Sequence, residues 1–84
     1  MEIKKGQIVK SVAGHDKGFF YVALEVNNGY ALIADGKRRK IEKPKKKSLK
    51  HLKPANTVVE SDIRTNKELR NVLSGFNADG VFES

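Results

Sequence analysis

The chain has no cysteine, so neither a disulfide nor a thiolate metal site holds its 84 residues together. Proline occurs twice, and no apolar run approaches the roughly 18 residues of a transmembrane helix. No apolar stretch follows Met1-Glu2-Ile3-Lys4-Lys5, so no secretory signal is expected. His15 and His51 lie too far apart for HxxH or HExxH spacing. The sequence shows no Ser-His-Asp spacing, nucleophile elbow or paired-carboxylate cluster. Gly36-Lys37 is not a P-loop, because the glycine five positions before Gly36 and the Ser/Thr after Lys37 are both missing. These absences point away from an enzyme, a cofactor or metal protein, and a membrane-spanning chain. A single small domain in a reducing cytoplasm is expected, with a core of marginal size.

Charge is abundant and uneven. Residues 1–53 hold 14 Lys/Arg against 5 Asp/Glu, and residues 54–84 hold 3 against 5, which gives +9 and −2 and the total of +7. Ten of the cations lie between Lys37 and Lys53, with Glu42 the one acid among them. Such a block seeks a polyanion. Nucleic acid is the expected partner, since the block lacks the apolar helical face of a membrane-surface binder.

Hydropathy alternates with the period of strands. Gly6 to Val12 reads as a first strand, and Gly14 to Gly18 as a tight polar loop. Phe19 to Val26 is the clearest strand, with Phe20, Val22, Leu24 and Val26 on one face and Phe19, Tyr21, Ala23 and Glu25 on the other. Asn28-Gly29 is a hairpin signal of the type I′ kind, and Tyr30 to Ala34 returns. A two-residue turn pairs Val26 with Ala31 and Leu24 with Ile33; a three-residue turn pairs Val26 with Tyr30 and Leu24 with Leu32. Asp35-Gly36 turns again. Lys37 to Glu42 then reads as a basic strand with Ile41 inward, and Lys43 to Ser48 as a mobile basic loop. Leu49 to Lys53 reads as a last strand, with Leu52 or Leu49 inward, stopped by Pro54. Residues 55–64 fit a strand or a connector.

Thr65-x-x-Glu68 has capping-box spacing. Leu69, Val72, Leu73 and Phe76 follow on one helical face. A helix over about 66–74 is expected, stopped at Gly75, with a frayed tail from Asn77 to Ser84. The fold class is mainly β: a small five-stranded barrel over residues 1–57, with a connector and one C-terminal α-helix over 58–84. Closure would remove exposed edges.

Gly6-Gln7-Ile8-Val9, Ala13-Gly14-His15-Asp16-Lys17-Gly18 and the apolar strand through Val26 resemble the KOW motif of ribosomal proteins and transcription factors. Ala31-Leu32-Ile33-Ala34-Asp35-Gly36, Lys37-Arg38-Arg39-Lys40 and Leu49-Lys50-His51-Leu52 narrow the likeness. They look like KOW-domain proteins related to large-subunit ribosomal proteins of the archaeal and eukaryotic type. The resemblance spans about residues 6–57 and implies an SH3-like barrel that binds structured RNA, often ribosomal RNA. Tyr21 stands where many KOW motifs carry a third glycine.

The expected RNA-contacting set is the loop Gly14, His15, Asp16, Lys17 and Gly18, with Lys10, Lys37, Arg38, Arg39, Lys40, Lys43, Lys45, Lys46, Lys47, Lys50 and His51. Arg38 and Arg39 suit geometric recognition, because a guanidinium makes bidentate phosphate contacts and stacks. On a strand they would face opposite ways. Lys45, Lys46 and Lys47 read as unspecific point charges. Phe19, Tyr21 and Tyr30 are stacking candidates, whereas Phe20 is expected in the core. Ribosomal proteins are further expected partners. The competing function is a protein-interaction module that docks a partner through Leu69, Val72, Leu73 and Phe76 or through the barrel surface. Packing of that face on the barrel is the preferred expectation.

Overall fold

A computed structural model describes residues 2–60 and 62–77. Five strands form one antiparallel sheet: β1 (Gln7–Ser11), β2 (Phe20–Asn27), β3 (Tyr30–Ala34), β4 (Lys45–Ser48) and β5 (Leu52–Val58), ordered β4-β3-β2-β1-β5. A single 3-10 turn, Leu49–His51, joins β4 to β5. These strands are the two ends of the ladder, so the short link draws the ends together and curls the sheet. The result is a small SH3-like barrel with one C-terminal helix, α1 (Asn66–Asn77).

The sheet is buried on both faces. Val9, Tyr21, Ala23, Ala31, Ile33 and Leu52 form one cluster. Ile8, Val22 and Ala34 form the second, under Leu69 and Leu73 of α1. That covering explains why both sides of β2 are apolar where a half-solvated strand would alternate. Tyr21 is 1% exposed and therefore not a stacking platform. Burial, with the charges of Asp16 and Asp35, pushes its phenol up to about 12.

The β2–β3 hairpin has the two-residue turn, pairing Asn27 with Tyr30 and Val26 with Ala31. Only Gly29 takes positive φ (+87°), so the turn has the sign pattern of type II rather than type I′. A bulge at Leu24 then shifts the register, and Ala23 rather than Leu24 pairs with Ile33. The extra residue flips the alternation, so Val26 joins the first cluster while Leu24 packs on the second.

Three sequence expectations are corrected. Residues 37–42 are not a strand. The Asp35 carboxylate accepts the amides of Lys37 and Arg39 at 2.9 and 2.8 Å, and Asn66 Oδ1 accepts that of Ile41 at 2.7 Å. Side chains thus take the groups a ladder would use. Ile41 still packs on the second cluster. The fourth strand is instead Lys45–Ser48, in what reads as a mobile loop. Lysines suit an edge strand because they discourage further pairing. The fifth strand starts at Leu52, after the 3-10 turn, and runs through Pro54. Pro54 is tolerated because β5 pairs on one side only, with β1.

Helix α1 begins as expected. Glu68 N donates to Thr65 Oγ1 at 3.1 Å, and Thr65 N to Glu68 Oε1 at 3.1 Å. Gly75 does not stop it; the helix runs on to Asn77, and the Phe76 ring meets that of Phe20 with centroids 5.3 Å apart and planes tilted by 50°. Leu69 is fully buried and Leu73 is 2% exposed, so these two residues pack on the sheet, with Val72 and Phe76 partly buried beside them. Residues 78–84 of the expected tail lie outside the described residues.

Candidate nucleic-acid interface

The β1–β2 loop is a sharp reversal. Gly14 and Gly18 take φ of +86° and +92°, a region that favours glycine. Gly18 N donates to Ser11 O at 2.8 Å and closes the loop. His15 and Lys17 are exposed at its tip.

Asp16 does a different job from its neighbours. Its Oδ1 accepts from Lys47 Nζ at 2.8 Å and from Ser11 Oγ at 2.9 Å, while Lys47 Nζ also donates to Ala13 O at 2.8 Å. Burial alone would raise the Asp16 pKa, but the bonds from Lys47 and Ser11 and the lysine charge outweigh it and hold the carboxyl below its ordinary range. Lys47 is 8% exposed. It is a buried brace between β4 and the loop, not the free point charge its basic run implies.

The β3–β4 loop approaches from the side. Arg38 lies 3.6 Å over the ring of Phe19, the residue after Gly18, and pairs with Asp35 at 3.7 Å. Lys37, Arg38, Arg39 and Lys40 are all exposed. With no strand there, Arg38 and Arg39 are not forced apart by alternation. Helix α1 shapes this loop. Arg70 Nη1 donates to Gly36 O at 2.8 Å, and Asn66 Nδ2 donates to Glu42 at 3.0 Å. Gly36 has φ +79°, and any Cβ there would run into the Asn66 carbonyl, so only glycine lets the loop lie this close.

On the other flank, Val12 N donates to His51 O at 2.9 Å, which ties the 3-10 turn to the end of β1. Lys50 and His51 are exposed there. Lys10 and Lys53 sit directly across β1 and β5, both exposed. Like charges so paired cost stability. Lys10 also lies 5.7 Å over Phe20.

The fold therefore gathers His15, Lys17, Arg38, Lys50 and His51 around one loop, with Lys10 and Lys53 on the adjoining strands. Lys43, Lys45 and Lys46 are not tied to that loop by any hydrogen bond or ion pair among the described residues. Lys46 instead covers Tyr30 at 4.4 Å, opposite Leu32 on β3. Arg70 and Lys53 were missed as site residues. Lys53 belongs to the basic run and was readable from charge, whereas nothing in the sequence points Arg70 at Gly36. A groove of about 670 Å³ has Lys5 and Arg64 balanced by Glu60 and Asp62, and so offers no cationic excess. Among the described residues no three His, Asp or Glu side chains cluster to hold a metal, and no helix is long and apolar enough to cross a membrane.

No protein-family model matches the chain, and no curated protein matches it.

Proposed function

We propose that the chain is a small RNA-binding protein of the KOW type. It holds structured RNA against the end of the barrel where the β1–β2 loop, the β3–β4 loop and the 3-10 turn meet. The observation that carries this is Arg38 on Phe19. That contact joins the basic loop to the glycine loop, so two weak features become one cationic surface with a planar, aromatic-backed guanidinium at its centre. The Lys10–Lys53 pair supports it, because a bound polyanion relieves their repulsion. Phosphate contacts from Lys17, Lys37, Arg39 and Lys40 would position the RNA, while His15, Arg38 and His51 would meet bases or 2′-hydroxyls. Ribosomal RNA in the cytoplasm is the partner the family resemblance favours.

The test is the salt dependence of RNA affinity. Each phosphate contact contributes about −0.7 to −0.9 to the slope of log K against log salt. Replacing Lys37, Arg39 and Lys40 together by Ala should flatten that slope by about 2 to 3 units if all three touch phosphates. An unchanged slope, with circular dichroism unaltered, would remove the β3–β4 loop from the interface.

A further inference from the structure

Helix α1 lies outside the stretch that resembles KOW proteins, yet it walls a cleft of about 260 Å³ beside the β1–β2 loop. Phe19 and Leu73 give this cleft apolar surface, and Lys37, Arg38 and Arg70 surround it with cations. Asp35 also lines it, but its carboxylate is engaged by the Lys37 and Arg39 amides and by Arg38. Three cations against one engaged acid leave the cleft attractive to an anion. Its volume falls below the roughly 300–1,000 Å³ of pockets for drug-sized ligands, which suits a fragment the size of a single base.

The walls narrow the choice further. The Arg38 guanidinium lies at stacking distance from Phe19 on one side, and its side chain is still 45% exposed. A planar cation backed by an aromatic ring is a platform for a second flat π-system. Arg70 is immobilised through one Nη1–H bond to Gly36 O, which leaves its other N–H donors for an anion. A flat ring attached to an anion is the chemistry of a nucleotide.

We propose that this cleft takes one unpaired nucleotide of the bound RNA, its base stacked on Arg38 and its phosphate held by Lys37 and Arg70. The inference rests on the RNA-binding function proposed above and specifies its substrate: RNA with a base turned out of the helix, rather than plain duplex. Such bases are what proteins read in RNA, since the A-form major groove is too narrow for side chains.

Two measurements on the full chain test it. The first is an amide NMR titration with adenosine monophosphate and, separately, inorganic phosphate. The nucleotide should move Phe19, Arg38 and Leu73, while phosphate should move only Lys37 and Arg70. Identical shifts from both would reduce the cleft to an anion site and overturn the inference. The second compares an RNA duplex with the same duplex carrying one bulged nucleotide. The bulged RNA should bind about tenfold tighter, within what one stacked base contributes. Arg38→Lys keeps the charge and loses the plane, so it should weaken binding of the bulged RNA about tenfold more than binding of the duplex and erase the preference. Equal binding of both RNAs by the unaltered chain would sink the cleft and spare the RNA-binding function; binding of neither would sink both.

Discussion

Lys47 has the same side chain as Lys45 and Lys46, but β4 turns it inward opposite Ala31, and its ammonium ends 2.8 Å from Asp16. Three consecutive lysines thus have three fates: Lys45 is half-buried, Lys46 lies on Tyr30, and Lys47 braces a loop. Lys47→Ala leaves a part-buried carboxylate whose buried Oδ2 is already unpartnered. Breaking this part-buried pair should cost about 1 to 2 kcal/mol in urea denaturation, between the exposed and the fully buried case. The pH dependence has a definite sign. The Asp16 pKa is lower folded than unfolded, so its contribution is complete above the unfolded value near 3.8 and is lost as pH falls through the depressed native value. The Lys47→Ala chain should lack this acid loss. Matching acid profiles for the two chains would show that the ion pair contributes little. The charge of residues 43–47 was readable from sequence, but which lysine points inward depends on the register of β4 against β3.

At the scale of elements, α1 has two tasks: it covers the sheet, and it shapes the basic loop through Asn66 and Arg70. Its start was legible, because Thr65 and Glu68 satisfy each other's backbone amides locally. Its end was not. Gly75 meets nothing within 4 Å of an added Cβ and is not among the glycines with positive φ, so it acts as an ordinary helical residue. Leu69→Asp places a charge at a fully buried position between helix and sheet and should unfold the chain, seen as loss of the cooperative thermal transition. A chain that kept its transition and lost only a binding partner would mean that the helix face is a docking surface. The displaced fourth strand has the opposite lesson. Residues 37–42 have strand-like spacing, but the Asp35 carboxylate reaches their amides first, and the strand forms at the next stretch able to pair with β3.

For the whole molecule, the net charge is +7, and part of it lies around the β1–β2 loop, while the groove of about 670 Å³ stays balanced in charge. If ribosomal RNA is the partner, the chain should sediment with the large ribosomal subunit in a low-salt sucrose gradient of a cell lysate. Release at high salt would indicate an association dominated by phosphate contacts, and retention would indicate contacts beyond charge. Recovery at the top of the gradient even at low salt would count against a ribosomal partner.

Composition and pattern alone determined the mainly β class, the β2–β3 hairpin, the capped start of the helix and the basic character of residues 37–53. Each depends on neighbours in sequence: alternation, turn residues, a capping pair, a run of charge. The position of β4, the course of β5 through Pro54, the brace between Asp16 and Lys47, and the meeting of Arg38, Phe19 and Arg70 were decided by tertiary structure. Each depends on which strand lies beside which, and a bulge such as that at Leu24 changes the facing of every residue beyond it without a local signature. The individual cations were visible from the start; which of them lie around the β1–β2 loop and which do not required the fold.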